Sequence, residues 1–227
     1  NKLADILMGD VDRFAKSLCV EMGKPIQEAR KEVEYAAKEC RYYAEHLEEF
    51  LKPEPVKSDA KKSFVVYQPF GPIYHVTPFN FPFWLIFRGT AGALAMGNTV
   101  VNKNPVTCPQ TGINAEQAFK EAGFNNGEFI NLIVGQQHSE KIISNNSIRG
   151  VSFTGSTDGG KKVAEMAGKY CKKTVMELGG NDAFIVLKDA DLDVAVEQGI
   201  KGRTFNGGQC CTAAKRFLIH ESIYDEF

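Results

Sequence analysis

The sequence lacks every strong compositional bias. Lysine and arginine number 27 against 28 aspartates and glutamates, for a formal net charge of -1 over 227 residues. A balance so close to neutral argues against nucleic acid as the main partner. No uninterrupted apolar run is long enough to span a bilayer, and the opening NKLADILMGD lacks the charged, apolar, then small layout of a signal peptide. Internal repeats, low-complexity tracts and coiled-coil heptads are missing as well. The six cysteines, at 19, 40, 108, 171, 210 and 211, form no C-x-x-C pair and have no histidine at metal-finger spacing, so a metal site has little support. What these absences leave is a globular protein of one or two domains, 43% hydrophobic, expected in a reducing, cytoplasmic setting. The chain begins without methionine and stops within HESIYDEF, which reads as an unfinished helix. A piece of a longer protein is the expectation.

Periodicity then organises the chain. From Lys2 to about Leu51, apolar residues recur every three or four positions, as in Ile26, Ala29, Val33, Ala36, Cys40, Tyr43 and Leu47, under a charged opposite face. Pro25 stands where a helix would start. KPEPVKSDAKK breaks the helical pattern, and SFVVYQ follows as a strand candidate. Five short β-branched runs, IYHV (73–76), TVVNK (99–103), FINLIV (129–134), GVSFT (150–154) and KTVME (173–177), alternate with helical stretches. This alternation predicts an α/β fold, a parallel sheet with helices on both faces, whose ligands bind at the carboxyl ends of the strands. A second alternation, DAFIVL, ADLDVAVEQGIKGR and RFLIH, begins past Gly179-Gly180 and puts a domain boundary near residue 180.

Several residues stand where chemistry is possible. Cys210 and Cys211 are adjacent, and neighbouring Cα atoms about 3.8 Å apart fall short of an ordinary disulfide's span of roughly 4.4–6.8 Å. A free thiol is only about 3% thiolate at pH 7, so a nucleophilic cysteine needs a helix N-terminus or a polarised surrounding. NGGQCCTAAKRF offers flexible glycines and then small residues able to turn backbone N–H groups toward a sulfur or an oxyanion; two buried thiols in a tight turn is the other reading. The remaining four cysteines read as small buried hydrophobes. Glu177, in VMELGGND, projects at a strand end, either as a base for water or as a solvated side chain. Asn80, in VTPFNFPFWLIFR, is an oxyanion donor or an Asx turn. SFTGSTDGGKKV has the strand, turn and helix start of a phosphate site without being G-x-G-x-x-G, and Lys103 ends a strand within reach of such a ligand or in solvent.

Taken together, PFNFP, FTGST, MELGGND and GQCC resemble, in order and spacing, the signatures of the aldehyde dehydrogenase superfamily across essentially the whole chain. The resemblance implies a Rossmann-like dinucleotide-binding domain with N-terminal helices over residues 1–180 and the start of a second α/β catalytic domain over 181–227. It implies that Cys211, the last position of Gly-Gln-x-Cys, is the nucleophile, with Asn80 as oxyanion donor and Glu177 as the base that hydrolyses the thioester. The implied cofactor is NAD or NADP, held by Pro78, Phe79, Lys103, Pro105, Val106, Gly135, Gly155, Ser156, Gly160 and Leu178. Residues 55–70 resemble part of the family's oligomerisation arm, which implies a homodimer or homotetramer for the full-length protein, and an isolated 227-residue chain without activity.

Within the superfamily, NDAFIVLKDADLDVAV and CTAAKRF are most similar to bacterial succinate-semialdehyde dehydrogenases. Arg88 matches a position where such enzymes bind the substrate's distal carboxylate, as a two-bond clamp, with a surface ion pair as the alternative. A second arginine ahead of Gly-Gln is not matched, since Phe205 stands there with Arg203 nearby. Phe79 replaces the usual tryptophan beside Asn80. Val106 replaces a glutamate that grips the ribose diol in many NAD-preferring members, which opens the site to NADP. A noncatalytic dinucleotide-binding protein on the same fold and a coenzyme A-acylating aldehyde dehydrogenase remain as alternatives.

Overall fold

The computed structural model describes residues 1–125 and 127–227. They divide into two units, Asn1–Glu177 and Leu178–Phe227.

The first unit opens with α1 (Lys2–Gly9), α2 (Val11–Met22) and α3 (Ile26–Phe50). The helical pattern of residues 2–51 is thus cut twice, each time by local chemistry. The Asp10 carboxylate accepts the Arg13 N–H at 3.2 Å and caps the start of α2. Gly23, at φ 84°, ends that helix in the left-handed conformation and returns its N–H to the Cys19 carbonyl. Next come β1 (Glu54–Pro55) and β2 (Phe64–Val65), an antiparallel pair. Of the expected strand SFVVYQ only Phe64 and Val65 are paired, because the facing strand is two residues long and Pro55 has no N–H to donate.

The remainder of this unit alternates as β3 (Ile73–Val76), α4 (Trp84–Ala95), β4 (Val100–Lys103), α5 (Pro109–Ala122), β5 (Phe129–Leu132), α6 (Ser139–Ile143), β6 (Gly150–Thr154), α7 (Thr157–Lys169) and β7 (Lys173–Glu177). The five long strands form one parallel sheet in the order β5-β4-β3-β6-β7. The chain therefore builds outward one way from β3 and the other way from β6. Right-handed crossovers then set α4 and α5 on one face and α7 on the other, with the change of direction between β3 and β6. Helices α1, α2 and α3 pack over α4 and α5 and close that face. An aromatic chain runs through the interface: Phe14 to Phe83 at 5.2 Å between ring centroids, Phe83 to Phe87 at 4.8 Å, Phe87 to Phe119 at 5.3 Å and Phe119 to Phe129 at 4.2 Å. On the sheet, His75 is buried and its Nε2 donates to the Leu85 carbonyl at 2.9 Å; a Cβ on Gly89 would lie 2.2 Å from its ring, so α4 reaches β3 only because position 89 is glycine.

Among the four cysteines expected to be buried, Cys40 and Cys108 are so, and Cys19 is half-buried. Cys171 is exposed, at φ 51°, because it belongs to the turn between α7 and β7 and its N–H bonds back to Gly168.

The second unit contains β8 (Ala183–Val186), α8 (Leu192–Thr204) and β9 (Arg216–Ile219), with the two strands parallel. Asp191 caps α8 by accepting the Val194 N–H at 3.1 Å. The segment read as an unfinished helix forms a 3₁₀ turn, Glu221–Ile223, in which His220 accepts the Ser222 N–H. Among the described residues, no helix is long and apolar enough to cross a membrane.

Candidate active site

Strand register decides which loops share an edge in the first unit. Val76 pairs with both Lys103 and Phe153, and Thr154 pairs with Glu177. The carboxyl ends of β3, β4, β6 and β7 are therefore level, and the residues that follow them line one edge of the sheet. Thr77 fastens two of those loops, donating its N–H to the Lys103 carbonyl at 3.2 Å and its hydroxyl to Asn104 Oδ1 at 2.8 Å. Pro78 is half-buried, Phe79 is 48% exposed, and Asn80 lies between it and the buried Phe81.

Neither helix that starts at this edge on the covered face has a side-chain cap of its own. Both are capped from a distance. Glu32 Oε1, from α3, accepts the N–H groups of Phe83 at 2.8 Å and Trp84 at 3.0 Å, at the start of α4. Glu21, from α2, accepts the N–H groups of Gln110 at 2.7 Å and Thr111 at 2.8 Å, at the start of α5. Carboxylates satisfy helix N-terminal donors and complement the helix dipole there. Glu32 is fully buried and paired with Lys24, whose ammonium also donates to the Asn80 carbonyl at 2.8 Å. Desolvation raises the Glu32 pKa, against the lowering by Lys24 and the two backbone donors. These three residues, Glu21, Lys24 and Glu32, were missed in the sequence. The available signal was register: Glu32 falls three positions after Ala29 and next to Val33, inside the buried stripe.

The residues implied for the cofactor in this unit gather at the same edge. Lys103 is buried, its ammonium reaches the Asn104 carbonyl at 3.3 Å, and desolvation pulls its pKa down. An anionic ligand would restore that charge. Pro105 is half-buried and Val106 is 61% exposed beyond it. After β6, Gly155 donates to the Glu177 carbonyl at 3.0 Å, and the Ser156 hydroxyl caps α7 by accepting the Gly159 N–H at 3.1 Å. Gly160 is buried in the first turn of that helix, beside the exposed Asp158. Gly135 follows β5 in extended conformation and opens a 3₁₀ turn. A half-desolvated lysine and a helix start on one sheet edge suit the phosphates of a dinucleotide.

Glu177 ends β7 at this edge, and Arg88 projects from α4. Arg88 Nη2 donates to Glu177 Oε1 at 3.3 Å, with both side chains about half exposed. Of the two readings of Arg88, the structure contains the ion pair, and its partner is the candidate base.

In the second unit, Leu178 is half-buried and precedes the exposed Gly179 and Gly180. The 3₁₀ turn Phe205–Gly208 carries three consecutive left-handed residues, Asn206 at φ 56°, Gly207 at φ 63° and Gly208 at φ 75°. Glycine adopts that region freely, while asparagine is the commonest other residue to do so. The chain then turns through Cys210 to Ala213, closed by the Ala213 N–H on the Cys210 carbonyl at 3.1 Å. The sequence suggested that small residues there present N–H groups as a helix start would. No helix starts at Cys211, because Ala213 and Ala214 are buried and Ala214 is tied to the Gly202 carbonyl on the way into β9. Cys210 Sγ lies 3.1 Å from Thr212 Oγ1, and the Cys211 carbonyl accepts from Lys215 Nζ at 2.6 Å. Although residue 211 counts as exposed, partial burial of its sulfur raises the thiol pKa, with Cys210 adding to the rise; the backbone N–H groups of Thr212 and Cys211 oppose it. Among the described residues, no group of three histidine, cysteine, aspartate or glutamate side chains is placed to hold a metal ion.

The sequence matches the aldehyde dehydrogenase family over residues 1–227. It is 43% identical over 226 residues to a probable succinate-semialdehyde dehydrogenase [NADP(+)] of Synechocystis sp., and 39% identical over 226 residues to the succinate-semialdehyde dehydrogenase [NADP(+)] of Deinococcus radiodurans. All of this chain is covered in both cases, with 50% and 47% of those proteins. The chain thus spans about half the length of the curated relatives it matches. Its fold superposes with a TM-score of 0.97 on succinic semialdehyde dehydrogenase from Streptococcus pyogenes in complex with NADP+, at 38% identity, covering 100% of this chain and 50% of that one. A lactaldehyde dehydrogenase from Escherichia coli gives a TM-score of 0.95 at 31% identity, covering 100% of this chain and 48% of that one. The chain belongs to the aldehyde dehydrogenase family.

Proposed function

We propose that the full-length protein oxidises an aldehyde, with succinate semialdehyde as the leading substrate, to the carboxylic acid at the expense of NADP. The observation that carries this reading is the set Asn80, Glu177 and Cys211 standing at the family's positions in a chain that matches the family throughout. The Cys211 sulfur attacks the aldehyde carbon, and the Asn80 side-chain amide and the Cys211 backbone N–H hold the resulting oxyanion. NADP, held by the residues named below, would supply the hydride acceptor for conversion of the thiohemiacetal to a thioester. Glu177 then takes a proton from water, which attacks the thioester and releases the acid and the free thiol. A raised Cys211 pKa means that the thiol needs a proton acceptor, or the charge of a bound cofactor, before it attacks.

For the cofactor, Lys103, Pro105 and Val106 after β4, Gly135 after β5 and Gly155, Ser156 and Gly160 around the start of α7 are the residues we assign, together with Pro78, Phe79 and Leu178. Val106 carries no charge to repel a 2′-phosphate, and NADP is named in the relatives with the same chain coverage. Arg88 is assigned to the distal carboxylate of the substrate, for which its guanidinium, paired with the Glu177 carboxylate in this structure, would have to change partner. The exposed apolar side chains Val56, Phe64, Val65, Val66 and Phe70 support residues 55–70 as an arm of a homodimer or homotetramer.

Initial rates of the full-length protein with succinate semialdehyde and with uncharged aldehydes of similar length, each with NAD and NADP, test the reading. Acid and NADPH formed in equal amounts, fastest with the charged substrate, are expected. Product formed only when coenzyme A is supplied, or no reduction of either cofactor, would overturn it. In the Arg88→Ala variant the preference for the charged substrate falls by about tenfold to a hundredfold, the weight of one to two charge-assisted hydrogen bonds.

A further inference from the structure

We infer that Lys24 and Glu32 form a buried clamp that positions Asn80, a role resting on the reading of Asn80 as the oxyanion donor. Both side chains are fully buried, and they grip the five-residue stretch Asn80–Trp84 at four successive points. The Lys24 ammonium donates to the Asn80 carbonyl at 2.8 Å and lies 4.4 Å from the centre of the Phe81 ring. Its remaining bond goes to Glu32 Oε2. The other carboxylate oxygen, Oε1, takes the N–H groups of Phe83 and Trp84. Two of the ammonium's protons and both carboxylate oxygens thus have hydrogen-bond partners on this one loop or on the other ion.

Local sequence chemistry delivers the two ions to the loop. Gly23 ends α2 in the left-handed conformation, Pro25 starts α3, and Lys24 is the single residue between them, buried despite its charge. Glu32 follows on the buried face of α3, which packs on α4. The clamp is thus built by the N-terminal helices and acts on a loop some fifty positions away in sequence.

The geometry bears on function because the carbonyl of residue 80 belongs to the same residue as the side-chain amide. Holding that carbonyl fixes the 80–81 peptide plane, and through the allowed range of ψ at residue 80 it restricts the direction in which the Asn80 Cα–Cβ bond leaves the backbone. Capping Phe83 and Trp84 fixes the far end of the loop to α4. An oxyanion donor has to wait at the place where charge will develop, and misplacement by about 1 Å costs on the order of a hundredfold in rate. A buried ion pair is a poor means of stabilising a fold compared with apolar residues of equal size. Its value here is orientation: only an acceptor-plus-donor pair can hold a carbonyl and two N–H groups of one short loop at once.

The test uses the full-length enzyme and a double-variant comparison. Single-turnover NADPH formation, kcat and aldehyde KM are measured for the wild type, Asn80→Ala, the pair variant Lys24→Met with Glu32→Gln, and the three substitutions combined. In the pair variant the glutamine oxygen still caps Phe83 and Trp84, while the ammonium on the Asn80 carbonyl is gone. The expected result is a tenfold to hundredfold loss of single-turnover rate and kcat, with little change in KM or in NADP affinity. In the Asn80→Ala background the same pair of substitutions should cost nothing further. Equal losses in both backgrounds, or wild-type rates in the pair variant, would overturn the clamp while leaving Asn80 as the oxyanion donor. Wild-type kcat in Asn80→Ala would remove the oxyanion reading and the clamp with it. Should the pair variant fail to fold, Lys24→Met alone, which also takes the ammonium off the Asn80 carbonyl, is put through the same comparison, with the same outcomes for and against.

Discussion

The two loops that carry the candidate donor and nucleophile are held in opposite ways. Residues 80–84 in the first unit are gripped by side chains from α3 and from the turn before it, through a fully buried ion pair and a dense aromatic core. Residues 206–213 in the second unit are held by their own neighbours, through left-handed backbone at 206–208, a turn at 210–213 and a lysine four positions further along. The first loop is set by tertiary packing, and the second by short-range backbone geometry. It follows that Asn80, the candidate donor, is positioned from within the first unit, while the local surroundings of the Cys211 sulfur raise its pKa.

Substitution of the two reactive groups draws the contrast most sharply. In the full-length protein, Cys211→Ala should lower kcat on the order of 10⁴-fold or more, as loss of a covalent nucleophile does. Glu177→Gln should lower it about 10²–10⁴-fold, the usual worth of a general base. A rapid mix of each variant with NADP and aldehyde separates them: Glu177→Gln gives a burst of NADPH near one equivalent and then stalls, and Cys211→Ala gives none. A burst from Cys211→Ala would assign the nucleophile elsewhere.

Stability should divide along the same line. Glu32→Ala leaves the Lys24 charge buried and three donors unpaired, a loss of about 3–5 kcal/mol. Asp191→Ala in the second unit removes an exposed helix cap and should cost about 1 kcal/mol. Denaturant unfolding of the two variants side by side checks the ranking, and similar midpoints would show that the first loop is no more dependent on distant side chains than the second unit is on a local cap.

The smallest effect concerns pH. Because burial and Cys210 raise the Cys211 pKa, its thiolate fraction at neutral pH lies below that of a free thiol. Alkylation of Cys211 in the cofactor-free protein should therefore be slow at pH 7 and still climbing through the range where ordinary thiols level off. Faster labelling at neutral pH than at the other thiols, which a permanently activated nucleophile would give, is expected only once cofactor is bound. A rate already flat at pH 7 without cofactor would mean that the loop itself activates the sulfur.

Much of the fold was readable because its signals are local. IYHV and GVSFT coincide with β3 and β6, since a largely buried parallel strand is a mainly apolar run bounded by turns, and KTVME coincides with β7, an exposed edge strand marked by its β-branched residues. The turn at Gly155 and the cap at Ser156 follow from strand, glycine and serine in sequence. SFVVYQ misled because strand propensity cannot show that its partner is two residues long and contains a proline. The cysteine at 171 misled because composition counts a thiol as apolar without knowing that it sits in a turn.

By itself the sequence determined the alternation of strands and helices, the family, and the candidacy of Asn80, Glu177 and Cys211, because these depend on residue types within a few positions of one another. Only the tertiary structure decided that Glu21 and Glu32 cap helices 89 and 51 positions away, that Lys24 holds the Asn80 carbonyl, and that Arg88 rests on Glu177. A carboxylate reads the same in a solvated helix as in a buried one. What it does is set by the donors that packing brings within about 3 Å of it.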